Sequence, residues 1–168
     1  MAKPKTVDRR TVLLGGTALV ALAAAFTLRP MGSSRAAEGN FPFKLSDEEW
    51  RKRLSEDAYQ VLRHEATERP FTSPLNDEHR PGIFACAGCA QDLFDAATKY
   101  DSGTGWPSFY QPLPDAVGES SDTTLGMTRT EVHCSNCGGH LGHVFNDGPR
   151  PTGLRYCMNG VSLSFKAA

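Results

Sequence analysis

Beyond two short cysteine pairs, no segment of this 168-residue chain repeats another, and no tract is of low complexity. Repeat architectures and compositionally disordered stretches are therefore excluded. Basic charge is scarce after the first residues. Positions 1–36 hold six of the 18 Lys and Arg and one of the 19 Asp and Glu, which leaves 12 basic against 18 acidic residues from position 37 onward. A domain of that sign offers no electrostatic footprint for nucleic acid. With 39% hydrophobic and 22% charged residues, the chain has the balance of one ordinary globular domain.

Long uncharged runs are also missing, with one exception. Thr11 to Leu28 carries no charge; Lys3, Lys5, Arg9 and Arg10 precede it, and Arg29 and the small-residue segment Ser33-Ser34-Arg35-Ala36-Ala37 follow. That order of basic, apolar and small residues is the order of an export signal, so residues 1–36 are set apart from a folded domain at 37–168. The pair Arg9-Arg10 before Thr11-Val12-Leu13 resembles a twin-arginine signal and implies a periplasmic destination. A Sec signal with two arginines, or an uncleaved membrane anchor, is the alternative, because eighteen residues just span a bilayer.

Uninterrupted helical stretches are lacking from Arg69 onward, where Pro70, Pro74, Pro81, Gly82, Gly103, Gly105, Pro107, Pro112 and Pro114 intervene. Short strands are predicted at Gly82–Cys86, Met127–Cys134, His140–Phe145, Leu154–Met158 and Val161–Phe165. Helices are expected only before this region. Ser46-Asp47-Glu48-Glu49 has the capping-box pattern, with Trp50 and Leu54 on one face, and Ser55 caps a second helix carrying Ala58, Val61 and Leu62. The fold class that follows is mostly β, a small antiparallel sheet domain with short N-terminal helices.

Cysteine is sparse, five in all, but its placement is informative. Cys86-Ala87-Gly88-Cys89 and Cys134-Ser135-Asn136-Cys137 are two C-x-x-C pairs, each on a turn after a predicted strand, with Gly88 and Gly138 expected to give the turns their backbone freedom. Four thiolates so paired can close a tetrahedral shell around structural Zn²⁺ and leave no position open for chemistry. Disulfides or a redox role are the alternatives, although a C-x-x-C disulfide closes too small a loop to stabilise much and no thioredoxin-like pattern surrounds either pair.

Cys157 has no partner. A buried structural thiol is the ordinary fate of such a residue, but read as a strand, Arg155, Cys157 and Asn159 share one face, opposite Leu154, Tyr156 and Met158. Two histidines, His140 and His143, lie three residues apart and Asp147 follows. Taken alone, either histidine is more readily a hydrogen-bonded structural residue or a metal ligand than an acid. With four cysteines already forming a complete site, both are free to move protons near neutral pH. Trp106, between Gly105 and Pro107, sits in a rigid turn as core or as a pocket wall.

Gly105-Trp106-Pro107-Ser108-Phe109, the two cysteine pairs, His140 through Pro149, Thr152 through Asn159 and Ser162 through Phe165, taken together and in this order, resemble the B-type methionine sulfoxide reductases. The likeness runs from about Lys44 to Phe165. It implies a β-tent fold stapled by Zn²⁺ on Cys86, Cys89, Cys134 and Cys137, and reduction of the R epimer of methionine sulfoxide, protein-bound or free. It further implies Cys157 as nucleophile, and Trp106 with Phe145 as the pocket for the substrate methyl group. His140, His143 and Asn159 form the polar side of that pocket, and Asp147 and Arg155 support it. A sulfoxide oxygen leaves only when protonated, so a histidine is expected as general acid, and Arg155 is expected to lower the Cys157 pKa. Many members carry a resolving cysteine just before the Gly-Trp-Pro-Ser-Phe motif, where this chain has Thr104. A sulfenic acid on Cys157 would then be reduced by an outside thiol, thioredoxin-like or small, and the enzyme is expected to work as a monomer. A zinc-ribbon adaptor and a general thiol peroxidase or transferase are the competing readings. The acidic charge and Cys157 oppose the first, and the Trp106 pocket opposes the second.

Overall fold

The N-terminal helices form where their caps are. In the computed structural model, which describes residue 37 and residues 39–168, the Ser46 hydroxyl accepts from the Glu49 amide. The Glu49 carboxylate in turn accepts from the Ser46 amide, opening α1 (Asp47–Arg53). Ser55 opens α2 (Glu56–His64), whose apolar side buries Ala58, Tyr59, Val61 and Leu62. The helix stops at Glu65, in the left-handed conformation at φ 53°. The expected leader lies outside the described residues. Among the described residues, no helix is long and apolar enough to cross a membrane.

Nine strands follow among the described residues, in two antiparallel sheets. The smaller has the order β2 (Asp92–Asp95), β1 (Gly82–Cys86), β9 (Leu163–Ala167). The larger runs β3 (Lys99–Tyr100), β4 (Ser108–Phe109), β8 (Arg155–Met158), β7 (His140–Phe145), β6 (Arg129–Cys134), β5 (Val117–Asp122). Aromatic rings join the sheets: Phe94 stacks on Phe109 at 4.3 Å, Phe84 meets Phe109 edge-on at 5.0 Å, and Tyr156 lies 5.9 Å from Phe94. The fold is therefore mostly β with two short helices, as the sequence implies.

Three strands begin later than the sequence suggests, each because a local turn takes the backbone first. Met127 is excluded by the 3-10 turn Thr124–Gly126, and Leu154 donates its amide to the Thr152 hydroxyl. Val161 belongs to a second 3-10 turn, Gly160–Ser162, where the Gly160 and Val161 amides donate to the Glu68 carboxylate. Four strands, β2 to β5, are not predicted by the sequence. Val117–Asp122 is an edge strand of mostly polar residues, and β3 and β4 have two residues each.

The outer face of the larger sheet is set by register. Ser108 pairs with Cys157, Cys157 with His143, His143 with Glu131 and Glu131 with Ser120, so one row of polar side chains crosses five strands. On the opposite face Tyr156 and Met158 enter the core. Strand β7 carries an extra residue: Val132 pairs with Gly142 but His133 with His140, leaving Leu141 as a bulge. In a flat strand, residues three apart face opposite sides. The bulge instead turns Leu141 into the core and brings the His140 and His143 rings within 5.3 Å of each other.

Candidate active site and metal centre

The two cysteine knuckles are built alike. In each, the residue four after the first cysteine adopts a left-handed conformation and donates its amide back to that cysteine's carbonyl: Ala90 to Cys86 at 2.8 Å, and Gly138 to Cys134 at 2.9 Å. Gly138 (φ 67°) acts as the sequence suggests, but in the first knuckle Ala90 (φ 63°) takes the left-handed position and not Gly88. Gly88 sits close against a ring instead: a Cβ there would lie 3.3 Å from Trp50, so that a side chain would require the ring to move by a few tenths of an ångström.

All four sulfurs lie within 4.8 Å of one another, with Cys86 to Cys137 at 3.8 Å and Cys89 to Cys134 at 3.6 Å. A disulfide needs ~2.05 Å. A tetrahedral shell with metal–sulfur bonds of ~2.3 Å has sulfur–sulfur edges of ~3.8 Å. The separations are those of a four-sulfur metal site, and the donor set fits Zn²⁺.

A cavity of about 110 Å³ opens on the outer face of the larger sheet, lined by Thr67, Trp106, Arg129, Gly142, His143, Phe145, Cys157 and Asn159. Five of the residues singled out in sequence thus share one pocket. Cys157 is half-buried. Its sulfur meets the Thr104 hydroxyl at 3.8 Å, and Thr104 is held through Ser102 (2.8 Å), which in turn bonds Ser108 (2.7 Å). Burial pushes the Cys157 thiol above its ordinary range, and contacts with Thr104, Arg155 and Ser108 only partly offset it. The expected lowering by Arg155 is therefore present but outweighed by desolvation.

The remaining candidates stand around the cavity. Arg155 and Asp147 lie outside its lining. They form a two-pronged ion pair at 2.8 and 2.9 Å, with the guanidinium 4.3 Å over the Phe145 ring, so they brace a wall residue. His140 is buried behind the lining, its Nδ1 donating to Glu131 at 2.9 Å and its Nε2 without a partner among the described residues. Burial works against the charge of Glu131, but hydrogen bonds from His133, His140 and Ser120 together prevail and hold its carboxyl below the usual range. Burial likewise depresses His143, against the opposing bond to Asp122. Asn159 donates to the Leu141 carbonyl at 3.0 Å and accepts from the Glu68 amide at 2.8 Å.

Thr67, Glu68, Asp122, Arg129 and Glu131 belong to this site and carry no motif of their own. Glu68 binds three parts of the pocket at once. Its carbonyl accepts from the Trp106 indole at 2.9 Å, its amide serves Asn159, and its carboxylate takes the Gly160 and Val161 amides. Only Glu131 leaves a trace in sequence, as a carboxylate between Thr130 and Val132 in a predicted strand.

A family model described as the SelR domain matches residues 54–167, the stretch that carries both knuckles and every residue lining the cavity. The chain belongs to the MsrB family of peptide methionine sulfoxide reductases. The MsrB of Leifsonia xyli subsp. xyli is 56% identical over 133 residues, 78% of this chain and 96% of that protein. The MsrB of Leptospira interrogans is 54% identical over 128 residues, 76% of this chain and 98% of that protein. The chloroplastic peptide methionine sulfoxide reductase B1 of rice is 53% identical over 128 residues, 76% of this chain and 60% of that protein. In this MsrB-family chain the matched segment starts at the end of α1, so the capping box of Ser46 and Glu49 precedes it.

Proposed function

We propose that the chain reduces the R epimer of methionine sulfoxide, in proteins and as the free amino acid, with Cys157 as nucleophile. The observation that carries this reading is the pairing of His143 with Cys157 across β7 and β8, in a cavity walled by Trp106 and Phe145. Trp106 and Phe145 offer apolar surface to the S-methyl group. The Cys157 sulfur attacks the sulfoxide sulfur while His143 gives a proton to the oxygen; the S–O bond breaks, methionine leaves, and the oxygen passes to Cys157 as a sulfenic acid. The Cys157 proton replaces the one that His143 gave up. His140, held by Glu131, fixes the polar side, and Asn159 joins that side to Glu68. Thr104 cannot resolve the sulfenic acid, so two equivalents of an outside thiol, thioredoxin-like or small, return Cys157 to the thiol with release of a disulfide and water.

Structural Zn²⁺ on Cys86, Cys89, Cys134 and Cys137 would tie the loop after β1 to the loop after β6. Residues 1–36 direct the domain to the periplasm, where a monomer repairs oxidised methionine. Turnover of separated R and S sulfoxides with dithiothreitol tests the reading. The R epimer should be consumed and the S epimer spared, with no activity after Cys157→Ser; S-epimer turnover, or activity surviving in Cys157→Ser, would overturn it.

A further inference from the structure

His143 is held by a group that the reaction sequence above does not use. Its Nε2 lies 2.7 Å from Asp122 Oδ2, whereas its Nδ1 makes no hydrogen bond among the described residues. Asp122 ends β5, and the strand order β8, β7, β6, β5 puts it on the side of His143 away from Cys157. Four donors converge on this one carboxylate. Oδ1 accepts from the Thr124 amide at 2.8 Å and its hydroxyl at 2.7 Å, and Oδ2 accepts from Arg129 at 2.5 Å as well as from His143. The side chains of Asp122 and His143 are only 10% and 13% exposed, so this is a bond largely shielded from water. Asp122 belongs to no sequence motif, and among the described residues no other carboxylate hydrogen-bonds the His143 ring.

We propose that Asp122 is the positioning residue of His143: by accepting from Nε2 it fixes the ring and leaves Nδ1 as the nitrogen that protonates the sulfoxide oxygen. The inference rests on the reading of His143 as proton donor. The proton balance supports the assignment. A doubly protonated ring that gives up its Nδ1 proton is left neutral with the remaining proton on Nε2, which is the tautomer that a carboxylate at Nε2 favours. The donating and the spent forms therefore keep the same bond to Asp122, and the ring need not reorient between them. The arrangement applies to a general acid the logic by which a buried carboxylate orients a histidine base.

Several charges face the ring. Asp122 comes from β5, Arg129 and Glu131 from β6, His140 from β7, and Arg155 and Cys157 from β8. Glu65, at the end of α2, is near enough to interact with Asp122, Glu131 and His140. Asp122 favours the charged ring, while Arg129, His140 and burial disfavour it.

Nitrogen-15 NMR of the His143 ring, together with single-turnover rates against pH, tests the proposal. In the unmodified protein the neutral ring should carry its proton on Nε2. An amide at position 122 must turn its NH₂ toward a donor on one side or the other, so Asp122→Asn should lose that preference and protonate His143 at lower pH. The pH at which the single-turnover rate declines should move down with it, lowering kcat at neutral pH with KM unchanged. Because Asp122→Asn can disturb the β5–β6 hairpin, Arg129→Gln provides a shift of opposite sign: loss of the cation should move the ring titration and the rate profile to higher pH. A proton on Nδ1 in the unmodified protein, or a ring titration unmoved in both variants, would overturn the assignment. A ring titration that moves while the rate profile stays fixed would instead reject His143 as the donor, and with it any part for Asp122 in the reaction.

Discussion

The hydroxyl of Thr104 lies 3.8 Å from the sulfur of Cys157, in van der Waals contact with the one thiol outside the metal cluster. A cysteine at this position would place a second sulfur beside Cys157, and a disulfide requires the two to close to ~2.05 Å. Thr104→Cys should therefore form a disulfide between position 104 and Cys157 after one turnover, detectable as a loss of two mass units and of dimedone labelling. The unmodified chain, turned over once without reductant, should instead keep a dimedone-reactive sulfenic acid on Cys157. Labelling that is equal in both proteins would show that the loop does not bring position 104 within bonding reach.

Ala90 is exposed and held at φ 63°, a conformation that costs a side chain ~1–2 kcal/mol and glycine almost nothing. Ala90→Gly removes no packing. Net of the extra freedom of glycine in the unfolded chain, it should stabilise the domain by up to ~1 kcal/mol. Urea unfolding with metal bound measures this, and a lower midpoint would count against strain at the knuckle.

Glu131 supplies a pH dependence whose sign is fixed. Its carboxyl is held below the usual range when folded, so the stability it contributes is fully present above the unfolded carboxylate value of ~4.3 and declines as pH falls toward the folded value. Glu131→Gln should lower the urea midpoint at pH 7 and match the unmodified protein increasingly closely below pH 4. A difference independent of pH would mean that its hydrogen bonds matter and its charge does not.

Arg155 pulls the Cys157 thiol down against the stronger push of burial. Arg155→Met should raise the pH at which Cys157 ionises, and so slow its alkylation by iodoacetamide at pH 7. Because the same change removes the brace on Phe145, KM for methionine sulfoxide should rise as well. Alkylation at the unmodified rate would leave Arg155 as a brace alone.

Chelation tests the four-sulfur cluster. One Zn²⁺ per chain is expected by native mass spectrometry, and its removal should unfold the domain cooperatively. A chain that stays folded without metal would give the cluster some other role.

The parts of this molecule that could be read in advance are those where local chemistry and position in the chain coincide. The capping box at Ser46, the N-cap at Ser55, the cysteine knuckles, the strand Gly82–Cys86 and the strand His140–Phe145 are each specified within a few consecutive residues. The polar edge strand Val117–Asp122 was not legible because no face of it alternates apolar and polar. Glu68 and Asp122 escaped for a different reason: each acts through partners 21 or more residues away, and hydrogen bonds across that separation leave no period in the sequence.

The bulge at Leu141 makes the number of residues before His143 count for more than their identity. Chain length changes in whole residues, so deleting one between Cys137 and His143 would not loosen the pocket by a fraction of an ångström. Deleting Leu141 would restore strict alternation and leave His140 and His143 two residues apart, both still on the outer face, so that the loss would fall on the core position that Leu141 fills. A substitution at Leu141 perturbs packing by degrees; a deletion there empties a core position and spares the facing of both histidines.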